Sequence, residues 1–113
     1  MKVINAYWTR VIFKKAGFRS SKQVFTLLEN TDEKCFSENN LVPKNDFIQN
    51  LKSMFESIEQ TGDSLRETRD MLGPGSIFEN AFPGQYGSLR ASYISERKKL
   101  EKQLYLIKFL FTN

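Results

Sequence analysis

A chain of 113 residues, 40% apolar and 27% charged, suits one domain with a small core and is too apolar for wholesale disorder. It has no histidine and a single cysteine, Cys35, which excludes an intramolecular disulfide, Cys/His zinc sites, imidazole general bases and histidine-activated nucleophiles. The net charge of +4 conceals an asymmetry: residues 1–28 are basic without an acid, residues 29–72 carry ten acids against five bases, and residues 73–113 are basic again.

Residues 1–30 form a basic N-terminal segment whose charge comes from Lys2, Arg10, Lys14, Lys15, Arg19 and Lys22. As a helix, Ile4, Tyr7, Trp8, Val11 and Ile12 make one apolar stripe, Phe13 falls outside it, and Gly17 closes it. A second helix is expected from Ser20 or Ser21, burying Val24, Phe25, Leu27 and Leu28. The alternative is α+β: "KVINAYWTRVIF" and "QVFTLL" are rich in β-branched and aromatic residues and would pair as an N-terminal β-hairpin. Arg10 interrupts the first apolar run, so the segment does not read as a secretory signal. With one cysteine, a reducing intracellular compartment is expected, the cytoplasm first. Basic, acid-free and serine-containing, residues 1–28 also fit mitochondrial import.

Residues 31–44 read as a polar linker anchored by Cys35 and Phe36. Residues 45–72 read as a long helix, with Asn45 as N-cap and Asp46 in the first turn. Phe47, Leu51, Met54, Ile58, Thr61, Leu65, Thr68 and Leu72 recur at spacings of four and three, a heptad-like seam. Gly62 interrupts the pattern and predicts a kink or break at "TGDS". Glu56, Glu59, Asp63, Glu67 and Asp70 read as a solvated face, because the histidine or second carboxylate helix of a metal or acid–base site is missing.

Residues 73–87 hold a connector rich in glycine, proline and aromatic residues, with Phe78, Phe82 and Tyr86 as candidate contacts for a partner. "GPG" is not followed by Lys-Ser/Thr, so the loop is no phosphate cradle. Residues 88–113 read as a C-terminal helix capped by Ser88, with Tyr93, Leu100, Leu104, Ile107 and Phe111 on its seam and Arg97 at the missing position. "LYLIKFLF" contains one polar residue, so it requires cover from the fold or from another chain, with Phe109, Leu110 and Phe111 as the expected contacts.

The expected architecture is mostly α: a helical bundle built on an antiparallel helical hairpin, about 45–72 and 88–111, with a helical N-terminal segment. The expected function is a non-enzymatic protein–protein interaction module: a small subunit, adaptor or inhibitor in a homo-oligomer or hetero-complex. No catalytic, cofactor or metal residue is assigned, and no segment is long and apolar enough to span a bilayer. The alternative is a nucleic-acid-binding accessory protein that uses Arg10, Lys14, Lys15, Arg19 and Lys22 on nucleic acid or an acidic partner. Charge alone does not decide between them. The basic segment would also be neutralised by lying on the acidic long helix.

Overall fold

The computed structural model describes residues 6–72 and 83–112. It is mostly helical, and no strand occurs among the described residues. The helices are α1 (Arg10–Lys15), α2 (Ser21–Asn30), α3 (Glu33–Glu38), α4 (Lys44–Leu72) and α5 (Pro83–Phe111). Two 29-residue helices dominate an elongated molecule of 55 × 24 × 23 Å.

Local chemistry sets the short elements. α1 ends in a Schellman motif: Phe18 N–H donates to the Phe13 carbonyl and Gly17 N–H to that of Lys14. Gly17 sits at φ +94°, where a side chain would be strained. Ser20 then caps α2 by accepting from Gln23 N–H at 3.2 Å, while the Gln23 side chain accepts from Arg19 N–H. The segment expected as a linker instead carries α3, capped by Asp32 and closed by a second Schellman motif with Asn40 at φ 57°. Its one fully buried side chain, Phe36, packs on Phe47 and Phe111. α4 begins one residue before the expected cap, with Pro43 accepting the first helical bond from Phe47 N–H, so Asn45 lies in the first turn. α5 begins at Pro83, whose fixed φ suits a first helical position. Ser88 is therefore inside the helix and not its cap. Phe78 and Phe82 lie outside the described residues.

The core runs between α4 and α5. Phe47, Leu51, Phe55 and Ile58 on α4 are buried, as are Leu100, Leu104 and Ile107 on α5. α2 covers one side with Val24, Phe25 and Leu28; α1 adds Ile12 and Phe13, the latter edge-on to Phe55 at 5.7 Å. The N-terminal stripe departs from expectation. Tyr7 and Val11 are exposed, and Phe13, expected outside, is in the core. The physical reason is that residues 7–9 form turns and the helix begins only at Arg10, so the turn shifts the phase on which the stripe was drawn.

Candidate functional site

α4 shows how its interior is used before any ligand is considered. Glu59 is 8% exposed, yet its carboxylate accepts from the Trp8 and Thr9 backbone N–H groups and from the Thr9 hydroxyl, all at 3.0–3.1 Å. The N-cap residue of α1, Thr9, makes no side-chain cap bond of its own. Glu59 instead accepts the N–H groups of Thr9 and of the residue before it, from another helix, 50 residues away in sequence. One turn on, Gly62 is the seat of the Trp8 ring: a Cβ there would stand 2.3 Å from Trp8 Cγ and Cδ2. The Trp8 indole N–H donates to Asp63 at 2.9 Å, and the Arg66 guanidinium lies over Tyr7 and Trp8 while pairing with Asp63. The helix runs through Gly62 without a break, which corrects the expected break there.

The acidic ladder is therefore not one solvated face. Glu59 is a buried structural acceptor, and Asp63 holds the indole. The remaining members, Glu67 and Asp70, are exposed, and Glu56 is half-buried. Arg97 was expected at the missing seam position of α5. Its guanidinium stacks on Tyr93 at 5.5 Å, while the Thr61 hydroxyl donates to Glu96. Among the described residues no group of three or more metal-ligating side chains converges.

Two surfaces flank α5. On one side an open groove of about 340 Å³ lies between the start of α4 and the end of α5. Leu41, Val42, Phe47, Met54 and Leu106 make its apolar wall, with the neutral amides Asn40, Asn50 and Gln103 at its margin. Leu110 follows Leu106 by four residues on the same side and is half-buried. Phe111 is partly filled in from within by Phe36, at 5.1 Å between ring centroids. Tyr86 is half-buried in the first turns of α5.

The side of α5 turned away from the core carries Ile94, Lys98, Lys102, Tyr105 and Phe109, all exposed, with Phe109 at 78%. α1 runs alongside. Trp8 meets Tyr93 edge-on, Lys15 pairs with Glu101 at 3.0 Å, and the Lys108 ammonium bonds the Gly17 carbonyl and sits over Phe18. The basic segment thus packs on both long helices, α1 beside α5 and α2 against α4, and α1 sends none of its cations to α4 acids. Arg10, Lys14, Lys15, Arg19 and Lys22 are all exposed. The ion pairs among the described residues are Lys15–Glu101, Lys34–Glu38 and Arg66–Asp63, so only Lys15 of these five has an acidic partner there.

Sequence reasoning missed Glu59 and Gly62 as a docking site. The available signal was the spacing Glu59, Gly62, Asp63, Arg66, one stripe of a helix with a gap the size of an aromatic ring. No described helix is long and apolar enough to cross a membrane. Comparison with protein-family models, with curated proteins and with solved structures returns no match.

Proposed function

We propose that the chain is a non-enzymatic helical interaction module, a small subunit, adaptor or inhibitor that works by binding another protein chain. The reading takes α4 and α5 as arms of an antiparallel hairpin. The Thr61–Glu96 bond toward one end, and the packing of Phe47 and Phe111 on Phe36 at the other, support it. The observation that carries the function is the open apolar groove of Leu41, Val42, Met54 and Leu106, extended by Leu110. Concave apolar ground with a neutral polar margin accepts apolar side chains of a partner.

An affinity capture with mass analysis, carried out with and without nuclease, tests this. Wild-type chain is expected to retain a protein partner after nuclease treatment, and Met54→Glu with Leu106→Glu to lose it while keeping its helical circular dichroism. Sedimentation equilibrium separates self-association from a hetero-complex. A chain that stays monomeric and captures nothing after nuclease treatment would overturn the reading.

A second reading, a nucleic-acid-binding accessory protein, is favoured by one observation: Arg10, Lys14, Arg19 and Lys22 are exposed and have no ion-pair partner among the described residues. A steep fall of binding with log salt would distinguish it from an apolar protein interface.

A further inference from the structure

We infer that the outer face of α5, together with the flank of α1, is a binding site for single-stranded nucleic acid. This rests on the second of the two readings above and relocates its centre from the N-terminal segment to α5. The face is contiguous. Lys15 of α1 reaches α5 at Glu101, whose helical neighbours three before and four after are Lys98 and Tyr105. Lys102 lies four residues after Lys98 and three before Tyr105, and Phe109 lies four after Tyr105. Of the two acids of α5, Glu101 is balanced by Lys15 and Glu96 is turned toward Thr61 of α4, so Lys98 and Lys102 leave the field over this face positive.

The aromatic residues decide which anion fits. Tyr105 is 45% exposed and Phe109 78%, and they stand one helical turn apart, about 6 Å along the axis. That step is close to the spacing of bases in an extended single strand. Unstacked bases offer faces to such rings, and phosphates meet Lys98 and Lys102 beside them. A duplex keeps its bases stacked on one another and would use only the lysines. A membrane surface would need a broad apolar face, whereas here isolated apolar side chains alternate with lysines. The Trp8 ring, which could have been a stacking platform, is committed to Gly62 and Tyr93.

Fluorescence anisotropy of a labelled oligothymidylate titrated with the full chain at near-physiological salt is the test. Tyr105→Ala and Phe109→Ala should each weaken binding roughly 5- to 150-fold. Each of Lys98→Gln and Lys102→Gln should flatten the slope of log affinity against log salt by about 0.7. These side chains are exposed, so thermal melts should not move. Competition by duplex of equal length should be weak, and vesicles of anionic lipid should not compete. No binding of the oligonucleotide at all would overturn both this site and the nucleic-acid reading. Binding abolished by Lys14→Glu with Arg19→Glu but indifferent to Tyr105→Ala and Phe109→Ala would overturn only the site on α5. Preferential binding of duplex or vesicles would overturn it as well, as would a change of oligomeric state in Phe109→Ala without a change in oligonucleotide affinity.

Discussion

Replacing Gly62 with alanine tests the docking of the N-terminal segment, because two effects of opposite sign meet at one atom. In the interior of a helix, alanine is favoured over glycine by about 1 kcal/mol. Here the added Cβ would stand 2.3 Å from two Trp8 ring atoms, far inside contact distance, so the ring has to leave its seat. Leaving forfeits the indole bond to Asp63 and the edge-on contact with Tyr93. Removing a fully buried aromatic side chain costs about 3–5 kcal/mol, and Trp8 is only half-buried, so its displacement should cost about 2–3. Gly62→Ala is therefore expected to destabilise the chain by a net of about 1–2 kcal/mol. In a Trp8→Ala background the clash is gone, and the same substitution should stabilise by about 1 kcal/mol. Urea denaturation followed by circular dichroism measures both legs of the cycle. Trp8 is the sole tryptophan, so a red-shifted emission of Gly62→Ala under native conditions would report the displaced ring directly. A stabilising Gly62→Ala in the presence of Trp8 would refute the reasoning.

Glu59→Ala should cost about 3 kcal/mol, since two backbone N–H groups and the Thr9 hydroxyl lose a shared acceptor, while Glu59→Gln should cost less because one oxygen still accepts; denaturant midpoints compare them. Leu100→Ala or Leu104→Ala should each lower stability by about 2–5 kcal/mol, because both are wholly buried between the long helices. Lys15→Met should change stability by less than about 1 kcal/mol despite losing its pair with Glu101, because the lysine is largely solvated; a thermal melt reads this.

How much could be read without coordinates depended on the range over which each interaction acts. The seam of α4 was legible because Phe47, Leu51 and Ile58 repeat a local period over a long helix, and that period survives tertiary packing. Gly17 and Ser20 were legible because a Schellman turn and an N-cap are satisfied within a few residues. The stripe at Tyr7 and Val11 was not, since its phase depends on where α1 begins, and that is fixed by Glu59, half the chain away. Gly62 was read by its helix propensity, although its role is the space it leaves for a ring about 50 residues distant. The outer face of α5 was partly legible: "LYLIKFLF" announced surplus apolar surface. Its division into buried Leu104 and Ile107, groove-lining Leu106, and exposed Tyr105 and Phe109 required knowing which neighbours arrive on which side.

The contacts of residues 8–17 also bear on the order in which the chain can fold. Trp8 waits for Glu59, 51 residues later, and the Gly17 carbonyl for Lys108, 91 residues later. At a synthesis rate of about 5–20 residues per second, residues 8–17 spend several seconds without their final partners. Throughout that interval Lys15 lacks Glu101, and Trp8, Ile12 and Phe13 lack their cover, while a segment of six helical residues is too short to hold its shape alone. Residues 8–17 are thus made well before the residues that fasten them. A nascent chain arrested before α5 could already seat Trp8 on α4, but it would leave the Gly17 carbonyl without Lys108 and Lys15 without Glu101, so the fastening of this segment is completed only when α5 has been made.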